Sequence, residues 1–102
     1  MTNNKILGLL GLAARARNVC FGADSVEEDI KKRKVKLVII ATDSSDRTKR
    51  RFIKLCEENQ IPIFIYESID KISKAIGKSN KAVIGIKDFN ISKEIERIYN
   101  RG

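Results

Sequence analysis

Residues 36–66 read KLVIIATDSSDRTKRRFIKLCEENQIPIFIY, and this stretch decides the fold class. It contains two short uncharged runs rich in β-branched residues, LVIIA at 37–41 and IFIY at 63–66, each bounded by turn or cap residues, which is typical of buried strands. Between the runs, four residues recur at the spacing of one helix face: Thr48, Phe52, Leu55 and Cys56. The stretch therefore predicts a strand, a helix and a second strand in succession.

The same alternation continues towards both ends of the chain. A third apolar run, AVIGI, occupies 82–86, and VCF at 19–21 is a candidate short strand followed by a helix that opens on acids. Further helical stripes lie at 6–16, 69–76 and 91–99. The order α-β-α-β-α-β-α-β-α predicts an α/β fold, a three-layer α/β/α sandwich with a central four-stranded mixed sheet. With 102 residues, 42% of them hydrophobic, the chain is expected to form a single domain over 1–102.

Polar residues at the predicted helix ends are candidate caps. The candidate N-caps are Ser45 or Asp46 for the third helix, Ser68 for the fourth, and Asn90 or Ser92 for the fifth. Gly77 is expected just past the end of the fourth helix. Before the second helix, Asp24 with Glu27, or Ser25 with Glu28, matches the capping-box pattern.

The charge of the chain favours a polyanionic partner. Lys and Arg number 21 against 13 Asp and Glu, which gives a net charge of +8. Ten of the basic residues lie between positions 31 and 54 with only two acids among them: Lys31, Lys32, Arg33, Lys34, Lys36, Arg47, Lys49, Arg50, Arg51 and Lys54. Clustered cations are suited to neutralising phosphates, although a solvated basic surface has the same composition.

Several classes of function are disfavoured. The chain contains no histidine, no G-x-S-x-G motif and no phosphate-binding glycine loop, so neither an enzyme nor a bound cofactor is expected. Cys20 and Cys56 lie far apart, outside metal-site spacing, and fit buried reduced thiols. No apolar run is long enough for a membrane span and no cleavage site follows the apolar N-terminal stretch, so a cytoplasmic protein is expected. Asp43, which follows a strand, is either a polar site residue or a turn or cap before the third helix.

Three loops are expected to emerge on one side of the sheet, at 22–25, 41–47 and 77–81. In the first, Gly22 permits close backbone approach, and short polar side chains stand at a helix start whose amides can receive a phosphate or a base edge. The third loop carries Lys78 and Lys81 on a small, flexible backbone beside the apolar Ile76, and this combination is suited to an unstacked nucleotide.

Four phrases of the sequence, LGLAARAR, KLVIIATD, CEENQIPI and KAIGKS, together carry a resemblance. From about Lys5 to Asp88 the chain resembles the bacterial members of the kink-turn RNA-binding ribosomal protein family. The resemblance implies an α/β/α sandwich that binds structured RNA, in the best-known relatives a kink-turn with tandem sheared G·A pairs. In those relatives a glycine and a polar pair start the second helix and contact the purines, a lysine further along assists, and the loop before the last strand covers an extruded nucleotide.

The resemblance assigns these roles to Gly22 and the residues after it, Ala23, Asp24 and Ser25, and to the loop from Ile76 to Ser79. The place of the lysine is taken by Glu28, whose charge repels phosphate, and Asp24 accepts hydrogen bonds but cannot donate them as asparagine does. The predicted RNA-contacting residues are Gly22, Ala23, Asp24, Ser25, Glu28, Lys31, Lys32, Arg33, Asp43, Arg47, Ile76, Gly77, Lys78, Ser79 and Lys81.

The expected partner is structured RNA, with ribosomal RNA as one candidate, and DNA is not expected. Because of Glu28, RNA binding is predicted more firmly than kink-turn specificity. The alternative is a protein-interaction module on the same scaffold that has lost RNA recognition. An accessory domain of an RNA-modifying enzyme is a third hypothesis, disfavoured by the missing histidine and cofactor motifs.

Overall fold

The computed structural model describes residues 2–101, with side chains from Lys5 onwards. Within this range five helices alternate with four strands: α1 (Thr2–Arg15), β1 (Val19–Phe21), α2 (Ala23–Lys31), β2 (Leu37–Ile40), α3 (Asp46–Glu58), β3 (Ile63–Ile65), α4 (Ile69–Ala75), β4 (Val83–Ile86) and α5 (Phe89–Arg101). The element order predicted from the sequence is confirmed.

The four strands form one mixed sheet in the order β1-β4-β2-β3. Strand β2 pairs in parallel with β3, with Ile40 opposite Ile65, while β4 is antiparallel to both β1 and β2. Strand β4 therefore runs opposite to the other three strands, and its start lies at the same end of the sheet as the ends of β1 and β2. The predicted mixed sheet is confirmed.

The side chains of the fully buried strand β2 alternate between two apolar layers. Leu37 and Ile39 join the layer formed with α1, α4 and α5, whereas Val38 and Ile40 join the layer formed with α2 and α3, which includes the buried Phe52. Because successive side chains of a strand point to opposite faces, a strand buried on both sides is apolar throughout. The predicted three-layer sandwich is confirmed.

Short polar side chains cap three of the helices. Ser68 Oγ accepts a hydrogen bond from the Lys71 amide at 3.1 Å, as predicted. Of the two candidates for α3, Ser45 is the cap, because its Oγ accepts from the Thr48 amide at 3.1 Å, and Asp46 is the first residue of the helix. The prediction for α5 is wrong, because this helix begins at Phe89 and its start is capped by Asp88, whose Oδ1 accepts from the Ile91 amide at 2.8 Å. The chain turns into α5 almost directly after β4, before the two polar residues that the sequence offered.

Cys20 and Cys56 are buried and free, as predicted. Burial raises the pKa of Cys20 to about 11 and that of Cys56 to about 12, so both thiols stay protonated at neutral pH. No helix in the described part of the chain is both long and apolar enough to cross a membrane.

Candidate nucleic-acid interface

The three loops predicted to lie together are brought to one end of the sheet, which we call the loop end (residues 22–25, 41–47 and 77–81). The Gly22 amide donates to the Val83 carbonyl at 3.0 Å, and the Ala41 amide donates to the Ala82 carbonyl at 3.0 Å. Both bonds join the end of one strand to the start of β4. The loop before β4 therefore reaches the ends of β1 and β2 because β4 is antiparallel to them.

Helix α2 starts at the loop end without a side-chain cap. Its N-cap is Gly22, with φ 87° and ψ 146°, and no side chain accepts a hydrogen bond from the first turn. The predicted capping boxes are wrong, because Asp24 and Ser25 already belong to the helix and cannot precede it. Both side chains are exposed instead. The amides of the first turn thus lie beside a residue without a side chain and carry the positive end of the helix dipole.

Arg51 of α3 links the two helices on this face of the sheet. Its Nε donates to Glu27 Oε1 at 3.0 Å, and its guanidinium lies 3.4 Å from Asp24 Oδ1. Hydrogen bonds from the Lys31 ammonium and then from Arg51 hold the pKa of Glu27 below its usual value. The sequence offered no signal for this contact, because its partners lie 24 and 27 residues away. Arg51 offsets part of the negative charge at the start of α2.

The loop at 77–81 presents two lysines next to the start of α2. The ammonium groups of Lys78 and Lys81 lie 5.1 and 5.3 Å from the ring centroid of Phe21, the last residue of β1. Ser73 Oγ accepts from the Lys81 amide at 2.7 Å and donates to the Lys81 carbonyl at 3.2 Å, which fixes the end of the loop to α4. Phe21 was missed by the sequence reasoning, and its position directly before Gly22 was the available signal.

Two of the predicted site residues, Ile76 and Asp43, have structural roles. Ile76 is only 6% exposed and packs in the core, so it does not present an apolar surface to a nucleotide as expected, whereas its neighbours Gly77 and Ser79 are exposed. Asp43 Oδ1 accepts from the Ile69 amide at 2.8 Å and thereby caps α4, and not the third helix, which was one of the two roles that the sequence left open for it. That bond joins the loop after β2 to the loop after β3, since both strands end at the same side of the sheet.

Helix α3 carries exposed cations along one stripe. Arg47, Arg50 and Lys54 follow the spacing i, i+3 and i+7, and none of them forms an ion pair with a side chain from Lys5 to Arg101. Arg47, at the start of the helix, belongs to the loop end. This stripe extends the basic surface along α3.

The basic residues at the end of α2 are either paired with acids of the same helix or distant from the loop end. Lys31 Nζ lies 2.9 Å from Glu27 Oε2, and Lys32 Nζ lies 3.2 Å from Glu28 Oε2, so α2 already pairs both lysines. Arg33 follows the helix, whose nine residues span about 13 Å, and lies near the opposite end of the sheet. The structure therefore places Arg33 apart from the loop-end residues, because the length of α2 separates them.

Comparison with known proteins gives a consistent set of relatives. The profile of the ribosomal protein L7Ae/L30e/S12e/Gadd45 family matches residues 4–96. The chain is 35% identical over 80 residues to the RNA-binding protein YlxQ of Bacillus subtilis (strain 168), covering 78% of this chain and 80% of that protein. It is 33% identical over 94 residues to the RNA-binding protein YlxQ of Enterococcus faecium, covering 92% of this chain and 90% of that protein.

Solved structures share the fold. A Bacillus halodurans C protein of unknown function superposes with a TM-score of 0.91 at 35% identity, covering 94% of this chain and 97% of that chain. The Giardia lamblia 15.5kD RNA binding protein superposes with a TM-score of 0.82 at 21% identity, covering 98% of this chain and 86% of that chain, which is a likeness of fold. The resemblance inferred from the four sequence phrases is confirmed, and the chain belongs to the ribosomal protein L7Ae/L30e/S12e/Gadd45 family.

Proposed function

We propose that this protein binds structured RNA with its loop end. The observation that carries the proposal is that the uncapped helix start at Gly22 and two lysines lie together at the loop end. The ammonium groups of Lys78 and Lys81 lie about 5 Å from the ring of Phe21, the residue directly before Gly22. The names of the two YlxQ relatives and of the Giardia lamblia neighbour, all RNA-binding proteins, support it. The proposed role is binding without catalysis.

The chemistry of the loop end suits both parts of an RNA strand. Amides of the first turn of α2 and the two lysines offer donors to phosphate oxygens, which set affinity and orientation. The exposed carboxylate of Asp24 accepts from exocyclic amino groups of bases, and the hydroxyl of Ser25 both donates and accepts. Gly22 leaves the backbone open to a base edge because it has no side chain.

We further propose that a kink-turn is the preferred RNA, with cytoplasmic ribosomal RNA as the first natural candidate. The test is fluorescence anisotropy with a kink-turn RNA and with the same RNA in which Watson–Crick pairs replace the tandem G·A pairs. We expect the kink-turn to bind at least about tenfold more tightly, since one bidentate base contact contributes about 1–3 kcal/mol. Asp24→Ala and Ser25→Ala should reduce this preference and leave binding to the control RNA nearly unchanged.

The outcomes separate the two levels of the proposal. Equal affinity for both RNAs would refute kink-turn specificity while RNA binding stands. Failure of the folded protein to bind either RNA at low salt would refute RNA binding itself.

A protein-interaction module is the second candidate. The observation that favours it is the exposed acidic surface at the start of α2, formed by Asp24 and Glu28. The resemblance gave these two positions to asparagine and lysine in RNA-binding relatives. Affinity capture from cell extract with and without ribonuclease distinguishes the two functions. Partners that persist after RNA digestion favour the interaction module, and partners lost on digestion favour RNA binding.

A further inference from the structure

The end of the sheet opposite the loop end carries a groove formed by two adjoining cavities. One of about 510 Å³ is lined in part by Arg33, Lys36 and Gln60, and the other, of about 340 Å³, by Lys36, Gln60, Phe89 and Lys93. Lys36 and Gln60 line both cavities, so the two lie side by side. We call this surface the distal groove.

An exposed aromatic ring stands in the distal groove. Phe89 is 58% exposed, the highest value among the large apolar side chains that the structure describes. The Lys93 ammonium lies 5.4 Å from its ring centroid. Single exposed apolar residues are common on proteins, but this ring lines a cavity whose other walls are largely polar or cationic. An aromatic ring beside cations is the arrangement that stacks nucleic-acid bases and contacts their phosphates.

The charges that face the groove favour an anion. Arg33 and Lys36 form no ion pair with any side chain from Lys5 to Arg101. Two acids also line the cavities: Glu58 and Glu96, and the carboxylate of Glu96 lies 3.8 Å from Lys93 Nζ. Three cations therefore oppose two acids, and Arg33 and Lys36 are available to phosphates.

We propose that the distal groove binds a single-stranded segment of RNA, with a base stacked on Phe89 and the neighbouring phosphates contacted by Lys36 and Arg33. This site goes beyond the proposed function, because it contains none of the loop-end residues and takes unpaired nucleotides. The longest dimension of the molecule is 31 Å. Even at the stacked spacing of a duplex strand, about 3.4 Å per nucleotide, about nine nucleotides span that distance, so a short single strand flanking a structured RNA at the loop end reaches the distal groove.

The direct test measures anisotropy of a fluorescein-labelled oligouridine of about ten nucleotides at low salt. Phe89→Ala should weaken binding by about fivefold or more, whereas Phe89→Tyr, which keeps the ring, should bind as the parent does. Leu12→Ala is the matched control, because Leu12 is 48% exposed on α1 and is likewise a large apolar side chain. Circular dichroism confirms that each variant is folded.

Three results would overturn the proposal: no binding of the oligouridine by the parent, unchanged affinity in Phe89→Ala, or an equal loss in Leu12→Ala. A second measurement separates this site from the loop end. Adding the same oligouridine as a tail to a kink-turn RNA should tighten binding in the parent and not in Phe89→Ala, because tethering raises the local concentration of the tail. Phe89→Ala should leave binding of the tailless kink-turn unchanged, and a loss there would contradict a separate groove.

Discussion

Gly22 is required at the start of α2 for a conformational reason that the sequence did not reveal. Its φ of 87° lies in the region that side-chain-bearing residues rarely adopt, and a Cβ built at this position would meet nothing within 4 Å. The open space means that a larger residue is disfavoured by backbone strain and not by a clash. This glycine lets β1 pass directly into α2.

We predict that Gly22→Ala lowers the free energy of unfolding by about 1–3 kcal/mol through backbone strain. The matched control is Gly8→Ala, because Gly8 lies in α1 and its Cβ would also meet nothing within 4 Å. That change should raise stability by about 0.5–1 kcal/mol, since alanine favours helix. Urea unfolding measures both, and equal midpoints for Gly22→Ala and the parent would contradict the strain.

The contacts of Glu27 with Lys31 and Arg51 predict a pH dependence of stability. The pKa of Glu27 in the folded protein is lowered from 4.5, so its contribution is present above pH 4.5 and is lost as the pH falls through the lowered pKa. The stability difference between the parent and Glu27→Gln should therefore shrink as the pH is lowered from 6 to below 4.5. Urea unfolding across this pH range measures the stability difference, and Glu57→Gln is the control at an exposed site. A difference that stays constant with pH would contradict the contribution of Glu27.

At the scale of elements, helices α2 and α4 start in different ways. Helix α4 has only seven residues, and the Ser68 side chain satisfies one of its first amides. In contrast, α2 has a glycine at the same position, and its polar side chains follow two and three residues later, within the first turn. Serine is therefore a cap in one helix and an exposed helical residue in the other.

We expect Ser68→Ala to destabilise the protein by about 0.5–2 kcal/mol, the usual effect of losing an N-cap. Ser25→Ala, which removes a similar side chain but no cap, should leave stability unchanged or slightly raised because alanine favours helix. Thermal or urea unfolding of the two variants distinguishes these outcomes. A loss in Ser25→Ala as large as that in Ser68→Ala would mean that Ser25 does cap α2.

The charge pattern of α2 predicts a gain of RNA affinity. Glu28→Lys should tighten binding to a kink-turn RNA, because it removes a negative charge near phosphates and frees Lys32 from its ion pair. The new pair of like charges at i, i+4 should lower helix stability by only about 0.2–0.5 kcal/mol. Glu57→Lys makes the same change of charge near the end of α3. Equal gains in the two variants, or no gain in Glu28→Lys, would refute a contact at Glu28.

At the scale of the whole molecule, the net charge is +8, and the cations that produce it are of two kinds. Some are paired with acids of the protein, and others are not. Lys31 and Lys32 face acids on their own helix, whereas Lys78 and Lys81 face the ring of Phe21 at the loop end. Cations already neutralised by the protein release fewer counterions when they meet phosphate.

The salt dependence of RNA binding should reflect this difference. Exchanging Lys78 and Lys81 for glutamine should reduce the slope of log affinity against log salt by about 1 per lysine. The same exchange at Lys31 and Lys32 lowers the net charge equally and should reduce the slope less. Anisotropy titrations over a series of salt concentrations measure both. An equal reduction would show that net charge, and not position, governs binding.

The sequence by itself determined the nine elements of the described residues 2–101, the apolar layers and the cap at Ser68, and it narrowed the cap of α3 to Ser45 or Asp46, because these depend on periodicity and on contacts within one helical turn. It also carried the family resemblance and the three loop-end segments at 22–25, 41–47 and 77–81. Ile76 was assigned both to the apolar stripe at 69–76 and to the RNA-contacting loop, and the structure buries it in the core as the stripe predicts.

Only the tertiary structure decided how these segments meet. Local periodicity fixes which face of an element is apolar. The direction of β4, in contrast, depends on packing both faces of the sheet at once. Because β4 is antiparallel to β1 and β2, the loop at 77–81 lies next to Gly22. The contacts of Arg51 with α2 and of Asp43 with the start of α4 join residues more than 20 positions apart. Such contacts follow from the packing of whole elements, and therefore no local pattern in the sequence encodes them.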